Sequence, residues 1–275
     1  MSVQNFIPQV WSAKLNESLK KSLVYGNVVN SDYEGDAKVG NTVKINSIGA
    51  ITIGDYDKTA GTGDPQQLTG EQTTLLIDQQ KFFNFQVDDV DATQSNVNLL
   101  QGAMTEAGYG LAERADAYIA SLYTEVAAEN TIGDDTTPIV PTKEDAYDHL
   151  VDLGVKLSEA NVPKSDRFVV VPEFFYGLLQ KDNRFVKDPQ VLATGYIGNV
   201  NGMQVYTSNN VANTGGTNYK VMAGHRSAIA FAGQIDSVEA YRPEKAFSDA
   251  MKGLQVYGAK VIKPSALAVL TVNKA

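Results

Sequence analysis

Hydrophobic residues recur along the chain with two different periods, and the places where the period changes divide it into elements. Near the start, Val10, Trp11, Leu15, Leu19 and Leu23 recur at helical spacing, with Pro8 close to the beginning and Gly26 closing the pattern. One apolar stripe results. The stretch NVVNSDYEGDAKVGNTV that follows is polar and turn-rich, so the helix is joined to the body by a mostly extended strap. A short isolated helix does not repay its nucleation cost in water. It must dock on something.

Period two takes over next. Val43 and Ile45, then Ile51 and Ile53, keep strand spacing within each pair, with Ile48 and Gly49 between them as an expected bulge. On the far side, Phe83, Asn84, Phe85, Gln86, Val87 and Asp88 alternate strictly between apolar and polar. These segments predict one hairpin around the polar stretch DYDKTAGTGDPQQLTG, with limbs of about a dozen residues and a reach of roughly 40 Å at strand rise. A two-stranded ribbon of that length needs its apolar face covered.

After Asp91 the spacing becomes helical again. Val97, Leu100, Met104, Ala107, Leu111, Ala115, Tyr118, Leu122 and Val126 share one face, and Asp91 with Gln94 has the spacing of a capping box. The pattern predicts a helix over 92–129, interrupted by Gly102, Gly108 and Gly110, which would permit a bend or a close backbone approach. Beyond it the chain alternates. Thr142 is placed to cap a helix with a buried stripe of Ala146, Leu150, Leu153, Leu157 and Ala160. RFVVVP reads as a buried strand, EFFYGLLQ as a short helix, and GMQVYTSNNV and YKVMAG as strands. The last stretch, from SVEAYRPEKAF to ALAVLTV, reads as strands on either side of a short helix-like insert, with Pro264 at an edge or bend. The fold class is α+β.

Composition narrows what such a chain does. Cysteine is absent, which excludes disulfides, thiolate nucleophiles and cysteine-ligated metals, and only His149 and His225 supply imidazoles. A formal net charge of −9 argues against a main task of gripping phosphate backbones. No window approaches a membrane span and no secretory leader is visible, so synthesis in the cytosol is expected.

Each candidate centre of chemistry has a plainer reading. GTGDPQQ is followed by a strand pattern and not by a helix, and no Lys-Ser or Lys-Thr follows it, so it reads as a turn and not as a phosphate loop. GYGLAE, 108–113, lies inside a helical pattern, where a dinucleotide fingerprint does not work. Asp88, Asp89 and Asp91 fail calcium-loop spacing and suit a helix N-terminus, with an acid/base hydrolase on Asp88 and Asp89 as the remote alternative. His225 reads as a structural histidine, and Lys14, Lys20 and Lys21 as a solvated face. No cofactor or metal is expected. What stands out is shape: an arm, a long hairpin and a long helix whose apolar faces have no home in one subunit, as in a protein that buries them on its neighbours.

Four segments in this order, FIPQVWSAKLNESL, LLIDQQKFFNFQVDDVDATQ, RFVVVPEFFYGLLQKDNRF with GYIGNVNGMQVYTSNNV, and YRPEKAFSDAMKGLQVYGAKVIKP, resemble the major capsid proteins of tailed double-stranded-DNA bacteriophages, of the Hong Kong ninety-seven type. The resemblance covers nearly the whole chain. It implies an N-terminal arm over 1–40, an E-loop hairpin over 41–81, a P-domain with its spine helix over 82–135, an A-domain over 136–232 and P-domain C-terminal strands over 233–275. It implies self-assembly through pentamers and hexamers into an icosahedral shell around the genome, with a separate scaffolding protein or none, a portal, a possible decoration protein, and packaged DNA held by weak non-specific contact. The location implied is the virion, assembled in the host cytoplasm. The residues expected to touch neighbours are Trp11, Leu15 and Leu19 of the arm and Tyr56, Lys58, Pro65 and Gln66 at the hairpin tip. Some members join an E-loop lysine to a neighbour's asparagine; Lys58 suits the first role, and no feature identifies the asparagine or a catalytic glutamate. An encapsulin-like shell enclosing an enzyme is the alternative on the same fold.

Overall fold

A computed structural model of the chain describes residues 24–33, 42–48, 51–53, 58, 65–67, 70–88, 99–182, 196–245 and 247–274. The predicted arm helix, the capping pair Asp91 and Gln94, and Gly49 lie outside them. Three sheets organise the rest. Strands β1 (Thr42–Ile48) and β2 (Gly70–Leu76) form an antiparallel hairpin; β3 (Gln79–Asp88), β10 (Ile229–Tyr241) and β11 (Ser248–Val261) form a second sheet in the order β10-β11-β3. The third holds seven strands in the order β4-β12-β9-β5-β7-β6, from β4 (Thr131–Ile132), β5 (Arg167–Val171), β6 (Tyr196–Val200), β7 (Met203–Thr207), β9 (Asn218–His225) and β12 (Leu267–Asn273), with β8 (Asn213–Thr214) beside β9.

The buried run Arg167–Val171 is central because both its faces are covered, as its near-continuous apolar sequence requires. Helix α3 (Ala146–Glu159) lays Ala146, Leu150, Leu153 and Leu157 against this sheet, beside the short helix α4 (Glu173–Leu179). The predicted stripe is observed, with Ala160 just past the helix end. Thr142 makes capping contacts one turn ahead of the helix proper, which begins at Ala146: its Oγ1 accepts from Glu144 N–H at 3.3 Å and its own N–H donates to Asp145 Oδ1 at 2.6 Å. The two residues close a turn ahead of the helix.

Helix α2 (Leu99–Ser121) crosses the three-stranded sheet, burying Met104, Leu111, Ala115 and Ile119. It stops short of the predicted 129. Ser121 and Thr124 turn their hydroxyls back onto the carbonyls of Tyr118 and Ser121, and the chain tightens into 3₁₀ turns at Leu122–Glu125 and Ala128–Asn130. Gly102 and Gly110 have open space where a side chain would stand, so neither marks a close approach.

The hairpin pairing is also corrected. Thr42–Ile48 pairs with Gly70–Leu76, whereas Phe83–Asp88 belongs to β3 and pairs with β11. Ile48 sits in register opposite Gly70 and is not a bulge, and 51–53 are outside any strand. Alternation at 83–88 reports a strand with one covered face; it does not say which strand lies beside it. Likewise the helix-like insert at 242–247 holds no helix among its described residues: it is the turn joining β10 and β11, whose pairing runs out to Tyr241 and Ala250. Gly26 does not end a helix either. It lies within a helical turn, α1 (Tyr25–Val28).

One buried cation holds the seven-stranded sheet to α3. Arg167 is 1% exposed and, among the described residues, faces no carboxylate at hydrogen-bond range. Its guanidinium donates to the carbonyls of Pro163, Gly154 and Val162 and to Ser158 Oγ, at the carbonyl-rich C-terminal end of α3. Replacing Arg167 with Met takes the donor from the buried Pro163 and Val162 carbonyls, while the Gly154 carbonyl keeps the Ser158 hydroxyl, so we expect the unfolding free energy of the unassembled subunit to fall by about 2–4 kcal/mol in chemical denaturation. Arg167→Lys should recover part of that loss, since one ammonium cannot reach every carbonyl.

Candidate inter-subunit surface

The hairpin leaves the body at a single crossing. Val43, Ile45, Leu75 and Ile77 bury against Ala230 and Ala232 of β10, with Tyr33, Val256 and Ile262 at the margin. Small side chains on β10 let the hairpin lie close on the sheet. At Gly258 the approach is closer still: a Cβ there would run into the Leu76 carbonyl and stand 2.9 Å from Ile77 Cα. The other face of the same sheet carries Phe231 and Tyr257 against Tyr118 of α2, so two layers cover it at once. Phe83 lies over Gly253 on that side and stacks with Phe85 at 5.9 Å.

Away from the crossing the hairpin is polar and then openly apolar. Asn46 and Gln72 bond across it at 2.9 Å. Nearer the tip, Gln66 Oε1 accepts from Thr52 N–H at 2.9 Å, tying two otherwise irregular segments together. Ile53 is 94% exposed, and Ile51 and Leu76 are exposed as well. Of the residues expected at the surface, Lys58, Pro65 and Gln66 are all exposed, whereas Trp11, Leu15, Leu19 and Tyr56 lie outside the described residues.

Two further apolar side chains stand out on the sheet itself: Phe82, 77% exposed on β3, and Phe247, 84% exposed at the β10–β11 turn. Phe82 borders a shallow cavity of about 290 Å³ with Leu254, Ser237 and the Lys252–Glu239 ion pair. The doublet Phe82-Phe83 carried the signal, because adjacent residues of a strand point to opposite faces and one of two phenylalanines must then face out.

The root of the arm is fixed by a carboxylate that local sequence does not reveal. Asp116, 1% exposed on α2, accepts from Tyr25 N–H at 2.8 Å and from Asn210 Nδ2–H at 3.3 Å. The N–H groups of Val24 and Gly26 turn toward it too, so it caps α1 from across the fold, where Val24 offers no side-chain cap. Beyond α1 the strap continues along the sheet: Asn30 bridges Ala230 in parallel, with bonds of 2.9 and 2.8 Å to Ile229 and Phe231, and Arg226 Nε donates to Val29 O. The main core takes in Tyr25, Val28 and Val29.

Among the described residues no group of three His, Asp or Glu side chains could hold a metal ion. Asp88 ends β3 opposite Ser248 and is exposed, with Asp89 and Asp91 outside the described residues. His225 Nδ1 pairs with Ser227 and accepts its N–H, a structural role, and burial holds its pKa below the usual imidazole range. No helix among the described residues is long and apolar enough to cross a membrane.

Comparison with known proteins follows this architecture. A family model described as "Phage capsid protein" matches residues 71–270. A solved chain from Mycobacterium phage Che8 is 33% identical, with 90% of each chain covered and a TM-score of 0.71. The capsid of the cyanophage P-SCSP1u is 16% identical over 93% of this chain and 89% of that one, with a TM-score of 0.69. A holo-encapsulin complex from Synechococcus elongatus is 13% identical over 85% and 83%, with a TM-score of 0.59. No curated protein sequence matches.

The crossing at Gly258 generates a direct expectation. Gly258→Ala should push the hairpin off β10, so that amide exchange in 42–48 and 70–76 speeds up by about tenfold or more while exchange in β5 and β9 is unchanged. Unaltered protection of the hairpin would show that the crossing relaxes around a methyl group.

Proposed function

The chain belongs to the phage capsid protein family and is a shell-forming structural protein, and from that premise we propose how its projecting parts serve the shell. Residues 41–81 act as the E-loop and 1–40 as the arm, each laid on neighbouring copies. Helix α2 with β3, β10 and β11 forms the P-domain. Residues 136–232, with α3, α4 and strands β5 to β9, form the A-domain around the axes of pentamers and hexamers, and β4 and β12, from the stretches 82–135 and 233–275 proposed for the P-domain, extend the same sheet. Exposed Ile53 carries the reading: an isoleucine so fully in water, at the end of a hairpin whose base is firmly packed, is most simply explained by burial on a second copy.

Trp11, Leu15, Leu19, Tyr56, Lys58, Pro65 and Gln66 are proposed to make those contacts, joined by Ile51 and Ile53. Each contact is small, and many add through multivalency, which suits a shell that places one polypeptide in slightly different surroundings. A scaffolding protein, a portal, a decoration protein and double-stranded DNA are the proposed partners beside further copies of the chain, and assembly is proposed to occur in the host cytoplasm. The formal charge of −9 favours loose, sliding contact with packaged DNA over tight binding. None of this requires an acid/base centre at Asp88 and Asp89.

Changing Ile51 and Ile53 together to Asp tests the tip. We expect subunit stability to stay within about 0.5 kcal/mol of wild type, since both side chains already face water. The yield of closed particles in negative-stain electron microscopy should fall by about tenfold or more. Full particle yield would remove the tip from the contact. Nucleic acid inside particles from infected cells supports the virion role, and a co-purifying enzyme in its place would favour the encapsulin-like alternative.

A further inference from the structure

The three-stranded sheet is closed along one edge and open along the other. Beside β10 the chain's own strap supplies a neighbour, with Asn30 bonded to Ile229 and Phe231. Beyond β3 there is none: β3 is an outer strand, and among the described residues no backbone hydrogen bond reaches the N–H and C=O groups of Gln79–Val87 that point away from β11. Natural edge strands are blunted by shortness, a bulge, proline or charge. This one is ten residues long, keeps register with β11 at every residue, contains no proline, and bears a single charge, Lys81, before its last position.

Side chains along that edge are under-covered on both faces. Toward α2, Phe83 and Phe85 reach the main core and are only half-buried. On the hairpin side Phe82 is 77% exposed beside the hollow it shares with Leu254. One further strand at this edge would pair the free backbone groups and flank all three phenylalanines at once.

That strand can be a second β3. Residues directly opposite one another in a sheet share a face, so two antiparallel copies of β3 must meet about a residue and not between two residues. Centred on Asn84, the pairing sets Phe83 opposite Phe85 of the second copy and Phe85 opposite its Phe83, with Lys81 opposite Val87, Phe82 opposite Gln86 and Gln80 opposite Asp88. No like charges meet. Centring on Phe83 would instead set Lys81 opposite Phe85 and separate the aromatic pairs.

We propose that the open edge of β3 docks the β3 of a second copy, the two pairing antiparallel about Asn84 to make one six-stranded sheet across two subunits. Its place in the particle rests on the shell reading given above. Rings of five or six close through contacts between unlike surfaces, and a surface that pairs with its own copy about a two-fold axis suits the joint between one ring and the next.

The chain has no cysteine, so introduced thiols report on this contact alone. Across an antiparallel pair the Cα atoms of opposite residues lie about 4.5–5.5 Å apart, within the span a disulfide bridges. Asn84→Cys should therefore give disulfide-linked dimers when purified particles are oxidised with copper phenanthroline, at about tenfold or more the yield of Val155→Cys, an exposed position on α3. Should Asn84→Cys fail to fold or assemble, the double variant Phe82→Cys with Gln86→Cys takes its place. Those two positions stand about 13 Å apart on one strand, so they cannot bridge within a chain and link only across the pair. Dimers no more abundant than from Val155→Cys overturn the proposal. If the wild-type chain forms no particles, the shell reading fails by itself, and the same cross-link, sought between free subunits, still decides the pairing. Cross-linked dimers together with full particle yield from the Ile51 and Ile53 variant would keep the β3 pairing and discard the tip contact.

Discussion

Coverage of the three-stranded sheet on both faces is the constraint from which the rest of the molecule follows. Along β10, Ile229 and Phe231 point into the main core beneath α2, and Ala230 and Ala232 point out under the hairpin. The face under the hairpin is thin, through alanines and through Gly258, where the chain at Leu76–Ile77 passes almost in backbone contact. That crossing sets the angle at which the hairpin departs. On the proposed role of the hairpin, its path toward another copy starts from there.

Arg167 and Asp116 are buried at junctions of the layers, and among the described residues neither has an opposite charge at hydrogen-bond range. Arg167 is held by carbonyls at the end of α3, and Asp116 by N–H groups at the start of α1. Backbone dipoles stand in for counter-ions at both positions, which fixes orientation as well as charge. Elsewhere the chain uses ordinary pairs. Lys220, nearly buried, reaches Asp135 at 2.6 Å and Thr271 at 3.2 Å and lies 5.4 Å from the centre of the Tyr123 ring, pinning the loop after β4 to the sheet.

Legibility in the sequence tracked how local each signal was. RFVVV could be read because a strand covered on both faces must be apolar throughout, and the stripe from Ala146 to Leu157 because a helix with one buried face has no other pattern. Strand β2 escaped notice. Its sequence, GEQTTLL, offers Leu75 as the one fully buried side chain among those described, since the hairpin is covered on one side over only part of its length. The stronger alternation at 83–88 therefore drew the pairing to itself. PEKAF is composed of residues that suit a helix or a turn equally, and two long strands meeting at Tyr241 and Ala250 leave room only for the turn. Asp116 could not be found at all. It is one aspartate in a helix, and the backbone it caps lies 91 residues earlier.

The position of β12 orders events in time. It lies between the two-residue edge strand β4 and β9, so Leu267–Asn273 fills a slot near the edge of the seven-stranded sheet, pairing with residues as distant as Thr131. During synthesis the other six strands emerge from the ribosome first and wait with an open slot, its hydrogen bonds unmet. A nascent chain thus cannot finish this wall ahead of time: the sheet closes only once its last strand has been made.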